Sequence, residues 1–122
     1  MVWYDFQMEN LPPEEYTKEQ IEETKRFVYI FYTELELQER SVFDTLKKLA
    51  DESILPQYKE FYQVAWGSVG RGDSISSVFD AHPTYKDLFM RSLLVIVREG
   101  EQQGTLVQDM LGMWKSFVAT GL

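Results

Sequence analysis

The chain has 122 residues, 44% of them apolar and 15% aromatic, enough for one hydrophobic core and too much for a disordered segment. Its net charge of −8 disfavours nucleic-acid binding, which needs a basic face against phosphates. With no cysteine, disulfides, thiolate chemistry and cysteine-based zinc sites are excluded too. The acidity is uneven: residues 1–40 carry a net −6 and residues 41–122 a net −2. A solvated acidic face is the plain meaning, and a basic partner is the sharper one. Met1–Asn10 lacks the basic start and apolar stretch of a signal peptide. The longest apolar runs, Phe27–Tyr32 and Leu93–Val97, are far short of the ~20 residues that span a bilayer.

In chain order, residues 1–16 read as an entry segment. Leu11-Pro12-Pro13 opposes a helix there, and Val2, Trp3, Tyr4 and Phe6 make it unusually apolar. It is expected either to dock back on the domain or to meet a partner. Residues 17–122 then read as one helical domain. Thr17 and Gln20 form a capping box, and a first helix runs to about Leu37. Its stripe is Ile21, Thr24, Val28, Phe31, Tyr32 and Leu35, while Phe27 and Ile30 fall off it, so the helix is expected to be contacted on two sides. Ser41 caps a second helix to about Ser53, with Val42, Leu46, Leu49 and Ala50 inward. Pro56 opens a third, whose stripe is Tyr58, Phe61, Tyr62, Ala65, Trp66 and Val69. Gly70-Arg71-Gly72-Asp73 breaks the chain. Ser74 caps a short fourth helix carrying Ile75, Val78 and Phe79, which His82-Pro83 ends. The fifth is expected from about Thr84 to Glu99, nearly apolar all round through Leu93–Val97, with Gly100 as its stop. Thr105 with Gln108 reads as a second capping box, opening a last helix with Leu106, Met110, Met113, Trp114 and Phe117 on one face. Breaks are thus expected near 38–40, 54–55, 70–73, 81–83 and 100–104. The fold class is all-α, a six-helix antiparallel bundle of helical hairpins. Ser41-Val42-Phe43-Asp44 recurs as Ser77-Val78-Phe79-Asp80, and Pro56-Gln57-Tyr58-Lys59-Glu60 as Pro83-Thr84-Tyr85-Lys86-Asp87, which two related hairpins or chance would explain.

The sequence offers no catalytic constellation. His82 is the sole histidine and sits before a proline as a turn residue, so a histidine triad or a zinc site lacks its members. Glu22-Glu23 and Glu34-Glu36-Glu39 lack calcium-loop spacing and read as exposed helix carboxylates. Gly70-Arg71-Gly72-Asp73 lacks the phosphate-loop pattern. With Ser74 it spells a cell-adhesion peptide, but its residues already serve a turn and a cap. No cofactor and no metal is expected, and the chain is read as a protein-binding module rather than an enzyme.

Gly100-Glu101-Gln102-Gln103-Gly104-Thr105-Leu106 resembles the Gly-Glu-x-Ser-Gly-x-Leu signature of inner-membrane platform proteins of type II secretion systems and type IV pili. Val69-Gly70-Arg71-Gly72-Asp73-Ser74-Ile75-Ser76 resembles that family's Gly-x-Ser-Leu-Ser turn and short helix. His82-Pro83-Thr84-Tyr85 matches its proline-and-aromatic step, and Ser41-Val42-Phe43-Asp44-Thr45-Leu46 its Ser-Leu-x-x-Ala-Leu helix start. The likeness covers about residues 27–118. The family's glycine before Ser41 is replaced by Glu39-Arg40, and its serine before Gly104 by Gln103, which suggests a divergent branch such as a type IVb toxin-coregulated or bundle-forming pilus. The resemblance implies an N-terminal cytoplasmic domain of a membrane-embedded parent in the bacterial inner membrane, itself without a span. It also implies contacts with a hexameric assembly ATPase, with neighbouring inner-membrane proteins and with pilin subunits, and a weak homodimer. The ATPase would supply the chemistry, and the domain would couple its motion to pilin extraction.

The carried-over signature residues are Gly72, Ser74, Pro83, Gly100, Glu101, Gly104, Thr105 and Leu106. Their physical content is a corner between the fifth and sixth helices, with Glu101 left over because no cap requires it. Trp3, Tyr4, Phe6, Phe27, Ile30 and Glu101 are the expected contact surface. The competing class is a general helical adaptor or regulatory bundle; an enzyme using paired acids would need a convergent site that the sequence does not offer.

Overall fold

The computed structural model describes residues 16–122. Among them there are six α-helices and no strand. They are α1 (Lys18–Tyr32), α2 (Val42–Glu52), α3 (Pro56–Gly70), α4 (Ile75–Ala81), α5 (Arg91–Gln103) and α6 (Leu106–Thr120). A π-helical turn (Thr33–Leu37) continues α1, and a 3-10 turn (Pro83–Leu88) precedes α5. No helix among the described residues is long and apolar enough to cross a membrane.

The helix starts follow from local caps. Thr17 accepts from the Gln20 N–H at 3.1 Å and donates its own N–H to the Gln20 side chain at 2.7 Å, closing the expected box. Ser41 accepts from the Asp44 N–H at 3.0 Å, and Pro56 sits in the first turn of α3. α1 packs along α6, α2 along α3 and α5 along α6, while α4 bridges α3 and α5. The apolar stripes meet in one core holding Phe27, Phe31, Leu46, Phe61, Tyr62, Phe79, Leu93, Ile96, Met110 and Phe117.

Three expectations are corrected. The fifth helix does not start at Thr84. Pro83 opens a 3-10 turn, then Phe89 and Met90 run extended before α5 begins. The gain is that the Phe89 ring enters an aromatic cluster, with Phe27, Tyr58, Phe61, Tyr62 and Phe79 centred 5.2–6.3 Å away. Side chains from elsewhere satisfy the backbone freed by the break. Gln20 Nε2 donates to the Asp87 carbonyl at 2.6 Å and Tyr58 Oη to the Leu88 carbonyl at 2.6 Å. The Met90 N–H donates to Thr24 Oγ1 at 2.9 Å and the Arg91 N–H to Tyr16 Oη at 3.2 Å.

Second, Gly100 does not stop α5, which runs on to Gln103 and ends on Gly104 in the left-handed region, at φ 71°. Third, Thr105 forms no capping box with Gln108. Its hydroxyl donates instead to Asp109 Oδ2 at 3.0 Å. The two Ser-Val-Phe-Asp copies are also placed differently: Ser41 is an N-cap, whereas Ser77 lies inside α4. Phe43 is exposed and Phe79 buried.

Candidate functional site

The fourth helix is short, so its first N–H groups decide whether it forms at all. Gly72 takes φ 95°, turning the chain out of α3. Ser74 then stands extended at the N-cap and its hydroxyl accepts from the Ser77 N–H at 3.2 Å. The two N–H groups before it are held by Glu101 of α5. Oε2 accepts from Ile75 at 2.6 Å and Oε1 from Ser76 at 3.1 Å. A carboxylate at a helix N-terminus combines charge-assisted hydrogen bonds with the favourable end of the peptide dipoles. The expectation that no cap needs Glu101 is therefore corrected: its partner is a different helix.

One residue before Glu101, Gly100 lies against α6. A Cβ there would meet the Leu106 Cα at 2.8 Å, so the glycine sets how closely α5 and α6 approach. The chain reverses at Gly104, and the Thr105 N–H returns to the Gly100 carbonyl at 2.9 Å, the six-to-one bond of a Schellman turn. Gly100, Glu101, Gly104, Thr105, Leu106 and Ser74 thus join in one corner, with Gly72 in the turn just before Ser74. Pro83 is not part of the corner; it opens the 3-10 turn. The Arg98–Asp80 pair at 2.6 Å ties α5 to α4 a second time, and that guanidinium holds the Asp80 carboxyl below its usual range.

The expected contact surface fares differently. Phe27 is fully buried and stacks on Phe31 with ring centroids 4.5 Å apart. It is core, because α1 is covered on two sides. Ile30 is half-buried against the same core. Trp3, Tyr4 and Phe6 lie outside the described residues. The large apolar side chains that do reach solvent are Tyr29, Leu37, Phe43, Ile54, Leu55 and Val118.

Two charged features escaped the sequence reading. A chain of polar contacts joins α3 to the end of α1. Tyr62 Oη donates to Glu23 at 2.6 Å, Arg26 bridges Glu23 and Glu52, and Lys48 bridges Glu52 and Glu34. Arg40 closes on Glu34 at 3.3 Å. Glu34 is buried in the π-helical turn, so this carboxylate is engaged by two cations and is not the free surface acid expected. Burial, and then Glu23, pushes the Tyr62 phenol well above its ordinary pKa. The second feature is a groove of about 440 Å3 between the start of α1, the 3-10 turn and α5, with Lys86, Arg91 and Arg98 among its lining residues. Arg91 and Arg98 are seven residues apart, which places them on one helix face and was readable from spacing alone. No family model, no curated protein and no solved structure matches this chain.

Proposed function

We propose that this chain is the cytoplasmic domain of an inner-membrane platform protein, an antiparallel six-helix bundle that scaffolds assembly of a type IV pilus or secretion pseudopilus. In this reading it binds a hexameric assembly ATPase, neighbouring inner-membrane proteins and pilin subunits. It associates weakly with a second copy, and it passes ATPase motion to pilin extraction from the cytoplasmic face of the bacterial inner membrane. The observation that carries the reading is the Glu101 cap. Two of the four stretches that carry the family resemblance, 69–76 and 100–106, are joined by two direct hydrogen bonds. A motif pair that meets in one corner is compatible with the single domain architecture that the resemblance implies.

Glu39 lends further support. It takes φ 54° two residues before the Ser41 cap of α2, in the region where the resemblance expects a glycine. The backbone turn is thus one a glycine would make most easily. A general helical adaptor is the runner-up reading. Deleting the gene in its host decides between them: the platform reading expects loss of surface pili or of type II secretion, and intact piliation and secretion would contradict it.

A further inference from the structure

The groove between the start of α1, the 3-10 turn and α5 is cationic on a chain whose net charge is −8. Arg91, Leu94 and Arg98 follow one another at three- and four-residue steps. They form one row along α5, a half-buried leucine between two exposed guanidinium groups. Lys86 adds a third exposed cation from the 3-10 turn, and Asp87 is the one acid among the described lining residues. Arg98 also reaches Asp80, but neither Lys86 nor Arg91 forms an ion pair with a described residue. Tyr16 supplies a further donor: its oxygen accepts the Arg91 N–H at 3.2 Å, and no described residue takes the phenol proton. Such a row calls for negative charges spread along a line. Arg91 and Arg98 are ~10 Å apart along the helix, too far for a single phosphate. Carboxylates seven residues apart on a helix match that distance, and an apolar side chain between them meets Leu94. A membrane surface or a nucleic acid would meet the negative charge of the whole chain. A short segment in the groove senses chiefly the charges within a Debye length, about 8 Å.

We propose that this groove binds an acidic helical segment of a partner protein, with its carboxylates on Lys86, Arg91 and Arg98 and an apolar side chain over Leu94. Charge complementarity selects the occupant, and the inference does not depend on the platform reading. The probe is a capped, alanine-rich helical peptide with glutamates seven residues apart on either side of a leucine. It is titrated at low salt into the isotopically labelled full chain, and amide shifts are followed by NMR. The control peptide carries glutamine for each glutamate. Inorganic phosphate and vesicles of phosphatidylglycerol in phosphatidylcholine are titrated in the same way. Lys86→Glu with Arg91→Glu reverses the groove charge, and Lys86→Gln with Arg91→Gln removes it more gently should the reversal disturb folding. Lys115→Glu, exposed on α6 and outside the lining, is the control variant. Helicity is checked for each.

The expected result is saturable shifts at amides within residues 86–98 with the acidic peptide and none with the glutamine peptide. Either groove variant should weaken binding about fivefold or more, the loss of two exposed ion pairs, while Lys115→Glu stays within about twofold of wild type. Absence of saturable shifts, or shifts that map elsewhere, would overturn the proposal. Equal binding of the glutamine peptide, or an equal loss in Lys115→Glu, would overturn it as well. So would phosphate or vesicles that produce the same shifts at lower concentration, which would make the groove a site for small anions or lipid headgroups.

Discussion

Glu101 supplies two acceptors to a helix of only seven residues, Ile75–Ala81, and that helix has no other source for them among the described residues. Removing the carboxylate leaves two backbone N–H groups without partners, at a cost of about 1–3 kcal/mol. Glu101→Ala should therefore lower the melting temperature clearly, by roughly 4 °C per kcal/mol for a domain of this size. Glu101→Gln keeps an acceptor and should lose less. Melts that superimpose on wild type for Glu101→Ala would show that water replaces the carboxylate at no cost. The neighbouring glycines act by different means. Gly104 has open space around it, so Gly104→Val costs only the left-handed backbone, about 1–2 kcal/mol. Gly100 has ordinary helical backbone but no room, and Gly100→Ala should force α5 from α6 at about 1–3 kcal/mol. If either variant melts with wild type, that source of constraint is absent.

At the scale of elements, the tyrosines join helices and make the packing sensitive to alkali. Tyr58 donates to the Leu88 carbonyl, fastening α3 to the turn before α5, and burial raises its pKa to about 12. Tyr62 donates to Glu23, and burial raises it well above its ordinary value. Both folded values exceed the unfolded value of about 10, so the stabilisation is complete below pH ~10 and is lost as pH rises through the folded values. Denaturant melts should hold steady to about pH 9.5 and weaken from pH 10 toward 12. In Tyr58→Phe and Tyr62→Phe that slope should be shallower, from a lower starting stability. An unchanged alkaline slope in both variants would show that other groups carry it.

These same contacts show where sequence stops being informative. Thr17, Ser41, Pro56 and Ser74 were legible because a cap and its partner lie within three residues. The break at Phe89–Met90 was not, because its backbone is satisfied by Tyr16, Gln20, Thr24 and Tyr58, 30 to 75 residues away. Helical periodicity continues across it, so the pattern alone reads as one helix. Glu101 was singled out correctly as unexplained by its own helix, but its partners are 25 and 26 residues upstream. Phe27 was misread for the opposite reason: an off-stripe position signals an interface only when nothing in the chain itself covers the second face.

For the whole molecule, the described helices are joined by side-chain contacts on more than one flank. What they carry is a set of mutual fastenings, with the polar chain from Tyr62 to Arg40 on one flank and the Glu101 corner on another. In the platform reading proposed above, such contacts would let the domain pass on force or position. In that reading the signature corner would serve the fold rather than meet the partner. The most direct measurement is a titration of the hexameric assembly ATPase from the same organism into the full chain, followed by calorimetry, for wild type and Glu101→Gln together. The account predicts saturable binding for wild type, with the same affinity for Glu101→Gln at a temperature where both are folded. Absence of binding by wild type, or loss of affinity in a folded Glu101→Gln, would contradict it.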